Sequence, residues 1–358
     1  MDKVRVGLLT IHDTHNYGSL LQTIGLYKAL LNLGVDVTII DYKCKAITER
    51  ESTAPLSEAR SIKQVIQSLL WHNSLKKKRN SFWAYLSYNT KLTKPYDRTS
   101  ISQANGLFDV FLVGSDIVWG LEITGHDMTY FLDFTEDNKR RLAFSSSVGT
   151  KWSEEASKKI KPLIDRFEQI SVREQLARDW IYDLTGKTVS VTCDPTMLLP
   201  SEYWQNQIKG IKRLPYKYVF VYMSVGNTTI DDAKEYAKKY DLKVVFLNYY
   251  LHKKEVKNLK ANTINEWLAL IANAEAVFTA SYHGLLFSLY YHKNVFYYNR
   301  GNTSRMISLC NELKITHREG NEKNLEQNIP IDYEFVDSIM ERKRQYSWSI
   351  LKGYFKVQ

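Results

Sequence analysis

Short apolar runs alternate along this chain with stripes of helical spacing. Residues 4–11 (VRVGLLTI) read as a buried strand, Ser19 to Leu33 as an amphipathic helix ended by Gly34, and residues 35–40 (VDVTII) as a second strand. Further strands are predicted at 109–113, 141–145, 170–172 and 189–193, with a helix from Ser153 to Gln169 that Pro162 is expected to break or kink. The second half repeats the theme: strands at 218–222, 242–247, 276–279 and 295–298, helices from Thr229 to Tyr240, from Ile264 to Ala272 and after Gly284. Residues 45–100 depart from it. Ile62, Val65, Ile66, Leu69 and Leu70 have helical spacing, and a second helix is predicted from Asn80 to Tyr88, together a helical excursion from the first sheet. A last helical stripe runs from Tyr333 to Phe355.

Strand–helix alternation predicts parallel sheets with helices on their faces. Two such stretches with no repeat between them predict an α/β protein of two facing Rossmann-like domains. The first covers 1–200 and carries the excursion at 58–98. The second covers 201–330, and 331–358 forms a helix packing back on the first. The cleft between such domains is the default ligand site.

In open α/β sheets, ligands meet the carboxyl ends of the strands. Ser281-Tyr282-His283-Gly284 falls there, in a strand-to-helix turn, and Arg300 and Arg305 follow the next strand. Gly114-Ser115-Asp116 closes another strand, and Arg173 another. The loop after the first strand holds Asn16, Tyr17 and Gly18 but no GxGxxG, which argues against a nicotinamide or flavin site. Each position has a structural alternative. His283 suits a tight turn, Asp116 a helix N-cap, and Arg173 a salt bridge to Glu174 or a nearby acid; Asp41, ending the second strand, reads as structural.

Composition narrows the class. A chain of 358 residues, 44% hydrophobic and 25% charged, can bury two cores, and it has no apolar run of membrane-spanning length. The first residues lack an apolar leader, and Cys44, Cys193 and Cys310 form no CxxC, so a cytoplasmic protein without a metal site is expected. The net charge of +10 is concentrated between Glu58 and Arg98, where Lys76, Lys77, Lys78 and Arg79 are flanked by Trp71 and Trp83. Such a patch suits an anionic membrane surface or a phosphorylated substrate. Without a nucleic-acid module signature, no nucleic acid partner is expected.

Four stretches together resemble the polysaccharide pyruvyl transferase family: His12 to Gly18 (HxxxNYG), Gly114 to Trp119 (GSDxxW), Ser171 to Glu174 (SVRE) before Asp194-Pro195-Thr196, and Ser281 to Gly284 before Asn299 to Arg305. Ala280 and Ile117 depart from the family's usual acidic residue and Gln. The resemblance implies a fold like that of GT-B glycosyltransferases, phosphoenolpyruvate as co-substrate, no other cofactor, and a sugar or lipid-linked oligosaccharide as acceptor. The product would be a pyruvate ketal on a bacterial surface polymer such as a capsule or exopolysaccharide. It implies His283 as proton-transfer group, with Asp116 binding or activating acceptor hydroxyls. Arg173, then Arg305, then Arg300 would receive the donor anion beside Ser281, Tyr282 and Gly284, and Asn16, Tyr17, Gly18 and Ser115 would shape the acceptor side. Lys76 to Arg79, with Trp71 and Trp83, would meet the inner membrane face or a lipid carrier. Two alternatives are a GT-B glycosyltransferase using a nucleotide sugar and a silent scaffold of glycan assembly.

Overall fold

The computed structural model describes residues 3–51, 62–249, 255–299 and 304–356, and for residues 51, 62–72 and 304 the backbone only. The chain divides into two compact units. Met1–Ser52, Trp83–Leu199 and Arg342–Gln358 form the first, and Thr53–Phe82 with Pro200–Glu341 the second.

The first unit runs β1 (Arg5–Leu9), α1 (Tyr17–Asn32), β2 (Asp36–Ile39) and α2 (Lys45–Glu51), then the long α3 (Ile62–Asn89) that both units share. It continues β3 (Val110–Val113), α4 (Leu121–Thr124), β4 (Arg140–Ser146), α5 (Glu154–Asp165), β5 (Gln169–Val172), α6 (Gln175–Thr185) and β6 (Ser190–Val191). The strands pair in parallel in the order β2-β1-β3-β4-β5-β6. Residues such as Val110-Phe111-Leu112-Val113 are buried on both sheet faces, which is why they read as continuous apolar runs. Trp119 anchors the core below the β3 exit, stacked on Phe131 at 5.7 Å, and its indole donates to the Tyr130 carbonyl.

The second unit holds α7 (Ser201–Asn206), β7 (Tyr218–Tyr222), α8 (Thr228–Lys239), β8 (Lys243–Leu247), β9 (Lys257–Leu259) and α9 (Ile264–Ala272). Then come β10 (Ala276–Thr279), α10 (Tyr282–Tyr290), β11 (Asn294–Tyr297), α11 (Ser304–Glu312) and α12 (Glu322–Gln327). Its strands are parallel in the order β11-β10-β7-β8-β9. Thr263 and Glu266 form a capping box at the start of α9, satisfying amides the helix itself leaves unpaired. Arg318 is buried. It donates to the carbonyls of Val295 and Ile329 and to Asn328 Oδ1 and Asn294 Oδ1, with its guanidinium 3.9 Å from the centre of the Phe296 ring.

The last helix, α13 (Tyr333–Phe355), belongs from Arg342 onward to the first unit. There the Cys193 amide donates to Ser347 Oγ, Trp348 Nε1 to the Leu198 carbonyl and Tyr354 to the Ala143 carbonyl, at 2.8, 2.9 and 2.9 Å. Three features differ from the sequence expectation. The excursion is one continuous helix, not two, and its residues up to Phe82 count with the second unit. A helix already nucleated runs on through a polar stretch without a new start. Helix α5 continues past Pro162, which lies in its last turn and so leaves only a few residues beyond the missing amide donor. No helix among the described residues is long and apolar enough to cross a membrane.

Candidate functional site

Strand order decides what the turns can do. In the first sheet the connection reverses direction between β1 and β3, and in the second between β7 and β10. Such switch points open a crevice at the carboxyl ends of the strands. The loop before α1 and the Gly114-Ser115-Asp116 turn flank the first. The Ser281-to-Gly284 turn flanks the second, where the Ala280 amide donates to the Met223 carbonyl at 2.8 Å.

At the second switch point the Thr279 hydroxyl donates to the Tyr222 carbonyl at 2.7 Å and accepts from the Ser281 amide at 3.1 Å, fixing the start of the turn. Ser281 caps α10 by accepting from the Gly284 amide at 3.2 Å. Gly284 has to be glycine, since a Cβ there would lie 2.3 Å from Thr279 Oγ1 and 3.1 Å from Tyr222 Cδ1. His283 therefore sits in the first turn of α10, 8% exposed, with its ring edge-on to Tyr282 at 5.3 Å. Partly exposed Arg305 brings its guanidinium within 5.8 Å of the Tyr282 ring centre. A helix N-terminus and a guanidinium both favour an anion. Arg300 lies outside the described residues.

At the first switch point Asn16 does structural work, its side-chain oxygen accepting from the amides of Gly18 and Ser19 at the start of α1. Tyr17 and Ser115 are buried, and Ser115 donates to the Ser145 carbonyl at 2.9 Å, so they shape this edge through the backbone they hold. The Gly114–Ser115 peptide is cis, and Gly114 has φ 139 with the Phe144 carbonyl oxygen 2.0 Å from where a Cβ would stand. Asp116 follows in the left-handed region, φ 71, a conformation costing about 1–2 kcal/mol for a residue with a side chain. Observed outliers of this kind cluster at functional sites. Its carboxylate accepts from Ser19 Oγ at 2.6 Å and the Ile117 amide at 2.9 Å, and lies 3.6 Å from Arg173 Nη2.

Arg173, directly after β5, is buried. Its side chain is 2% exposed and donates to Asp194 Oδ2 at 2.7 Å, while Asp116 is 17% exposed and Asp194 fully buried. Asp194 also holds a turn. Its Oδ1 accepts from the Thr196 amide and hydroxyl at 3.0 and 2.8 Å, shaping Asp194-Pro195-Thr196. That turn packs so tightly on α1 that a Cβ on Gly25 would come within 2.5 Å of the Pro195 carbonyl oxygen. Buried Glu174 accepts from Ser147 Oγ at 2.7 Å and the Val148 amide at 3.1 Å, and its Oε2 has no hydrogen-bond partner among the described residues. Burial pushes its carboxyl above the ordinary range, against the pull of Arg173 and those donors.

Ser19, Asp194 and Glu174 are not recognisable as site residues from sequence. Asp194 and Glu174 stand inside the quoted motifs, but their partners come from other strands. Loop residue His12 is also engaged, its ring nitrogens 3.1 Å from the Thr10 carbonyl and 3.0 Å from Asp41. Burial would raise the Asp41 carboxyl, but hydrogen bonds from His12 and Lys43 outweigh it and hold the group below its usual range.

The basic run is not uniform. Lys76, Lys77 and Arg79 are exposed, whereas Lys78 is buried with its ammonium 4.5 Å from the centre of the Tyr249 ring and 5.1 Å from that of Phe82. Lys78 thus leaves the expected surface patch, since its stem and two aromatic faces make burial favourable. Trp83 is partly exposed beneath Lys43, at 4.5 Å. The Trp71 side chain lies outside the described residues. No group of His, Cys, Asp and Glu among the described residues could hold a metal ion.

The family model for polysaccharide pyruvyl transferase matches residues 16–302, most of the chain and both switch points. The chain belongs to the polysaccharide pyruvyl transferase family. Membership makes it a transferase acting on polysaccharide. No curated protein matches the chain. Among solved structures it is similar to a UDP-N-acetylglucosamine 2-epimerase from Listeria monocytogenes, with 11% identity over 95% of this chain and 91% of that one and a TM-score of 0.54. The UDP-GlcNAc 2-epimerase from Neisseria meningitidis, bound to UDP-GlcNAc, gives 9% over 96% and 93%, TM-score 0.53. The Methanocaldococcus jannaschii enzyme with UDP-GlcNAc and UDP gives 12% over 96% and 93%, TM-score 0.50. At these identities the likeness concerns the fold alone, and the two-domain, GT-B-like α/β fold expected for the family is the one found.

Proposed function

We propose that this pyruvyl transferase moves the pyruvyl group of phosphoenolpyruvate onto two hydroxyls of one sugar in a cell-surface polysaccharide or its lipid-linked precursor. A pyruvate ketal forms and phosphate is released. The observation that carries the reading is the family match across the His283 turn and the Arg173–Asp194 pair. Phosphoenolpyruvate presents a carboxylate and a phosphate, which guanidiniums bind in a bidentate way. Arg173, held by Asp194, and Arg305 beside Tyr282 are the receiving groups, with Arg300 a third.

The chemistry balances without an external oxidant or reductant. His283 delivers a proton to the donor's methylene carbon, leaving an oxocarbenium-like centre at C2. One sugar hydroxyl adds there and gives up its proton. The C2–O bond to phosphate then breaks, phosphate departs with the electron pair, and the second hydroxyl closes the ring. Of the two hydroxyl protons, one restores the imidazole and the other leaves with phosphate. Asp116, fixed by Ser19, receives the acceptor hydroxyls. The exposed Lys76, Lys77, Arg79 and Trp83 are the groups for an anionic membrane surface or carrier pyrophosphate.

The test is phosphate release from phosphoenolpyruvate with synthetic or lipid-linked glycan acceptors. Release dependent on acceptor is expected, falling about 10²–10⁴-fold in His283→Ala. Arg173→Ala and Arg305→Ala should raise the KM for phosphoenolpyruvate. Full activity in His283→Ala or Arg173→Ala refutes these roles.

A further inference from the structure

The second unit holds a cavity of about 170 Å³ away from its switch point, between the segment before β7, the end of β9 and the flank of α9. Its floor is apolar: Ile211, Leu214, Leu259 and Leu270 line it, and Tyr218 closes one side by donating to the Leu270 carbonyl at 2.8 Å. Its rim is cationic, formed by exposed Lys212, Arg213 and Lys260. Lys212 and Arg213 form no ion pair among the described residues. The one acid among the described lining residues, Glu266, is spent on the α9 cap, accepting from the amides of Asn262 and Thr263 at 2.7 and 3.3 Å.

The rim is also tied to α3. Lys260 donates to Ser74 Oγ on α3 at 2.8 Å, and one turn further along that helix stand exposed Lys76, Lys77 and Arg79. The segment before β7 and the end of β9 thus bring Lys212, Arg213 and Lys260 to one rim around an apolar hollow. We infer that this hollow binds a single anionic amphiphile, a phosphate-headed lipid whose headgroup meets the rim and whose hydrocarbon enters the floor. Charge complementarity excludes a cationic occupant, and the leucine and isoleucine floor gives a bare anion nothing to bury. The volume suits roughly five or six water-sized groups, enough for the start of one chain and not for a whole lipid. None of the residues lining the cavity belongs to either switch point or to the groups assigned to phosphoenolpyruvate.

The test uses soluble dihexanoyl phosphatidic acid as probe, with dihexanoyl phosphatidylcholine and inorganic phosphate as comparisons, in calorimetric titrations of the full chain. Phosphatidic acid should bind, and Lys212→Ala/Arg213→Ala/Lys260→Ala should weaken it at least about tenfold. Leu270→Trp, which fills the hollow, should do the same for phosphatidic acid. Removing the same number of charges elsewhere, as Lys158→Ala/Lys159→Ala/Lys161→Ala on α5, should change nothing. Equal affinity for inorganic phosphate and phosphatidic acid, or full affinity in the rim variant, overturns the inference. Melting temperatures establish that the variants are folded; the rim side chains are exposed, so their loss should leave these unchanged. Phosphoenolpyruvate turnover is measured separately, so failure of either reading leaves the other intact.

Discussion

Replacing Asp194 by alanine removes two kinds of support at once. The first is the counter-ion of a guanidinium whose side chain is 2% exposed. Breaking a buried pair by deleting one partner costs about 3–5 kcal/mol, mostly through the stranded charge. Asp116 stays 3.6 Å from Nη2, and at an effective dielectric constant of about 20 that attraction is worth roughly 4–5 kcal/mol before desolvation, so the guanidinium keeps one anion. This places the ion-pair loss near the lower end. The second loss is the cap on the Thr196 amide, about 1 kcal/mol. Together they predict a destabilisation of about 3–4 kcal/mol, confined to the first unit. Hydrogen-exchange mass spectrometry resolves the units: peptides across residues 169–199 should exchange faster by some hundredfold or more, while residues 218–247 stay unchanged. Asp194→Asn keeps the cap and loses the charge, so it should fall between. Exchange in 169–199 within about threefold of the parent would refute the dependence of Arg173 on this pair. In the same variant Arg173 loses its fixed direction, and phosphoenolpyruvate affinity should drop even where the fold persists.

Other outcomes can be checked alongside. Gly284→Ala drives a methyl toward Thr279 Oγ1, which its two hydrogen bonds hold in place, so a loss of about 1–3 kcal/mol in thermal melts is expected, with turnover falling further because His283 shifts; an unchanged melt would contradict this. Glu174 is held above its unfolded pKa, so its contribution is complete below the ordinary carboxyl range and is lost as pH rises through the folded value. Glu174→Gln should therefore gain stability relative to the parent as pH rises above the ordinary carboxyl range, and a pH-independent difference would count against that coupling. Arg318→Met keeps the volume but strands the buried Val295 carbonyl and the partly buried acceptors of Asn328 and Ile329, predicting a loss of about 2–4 kcal/mol by urea titration, with a loss under about 1 kcal/mol as the contrary result.

Much of the architecture is legible in the chain because parallel strands buried on both faces must be apolar throughout. Residues 110–113 and 276–279 could hardly be anything else, and Ser281-Tyr282-His283-Gly284 reads correctly as a strand-to-helix turn. Strand order is not local information. Nothing in residues 114–116 tells that β3 lies beside β1, so the Ser19–Asp116 hydrogen bond could not be foreseen. Arg173 read as an anion receiver with a salt bridge as its alternative, and the structure supplies the salt bridge, from Asp194 across the β5–β6 pairing. The short β9, Lys257–Leu259, has no alternation to betray it. Lys78 misleads for the opposite reason: its charge marks it as solvated, yet only the folded chain brings Tyr249 to meet it.

The path of α13 has a consequence during synthesis. The first unit takes its closing segment, Arg342–Gln358, from beyond the whole of Pro200–Glu341. At ~5–20 residues per second the ribosome needs on the order of ten seconds to make the intervening chain. Until then the Cys193 amide and the carbonyls of Leu198 and Ala143 await Ser347, Trp348 and Tyr354. The nascent chain thus matures out of order, its later-made middle complete before its earlier-made beginning, and a stop at Glu341 would leave the first sheet permanently open to chaperones and proteases.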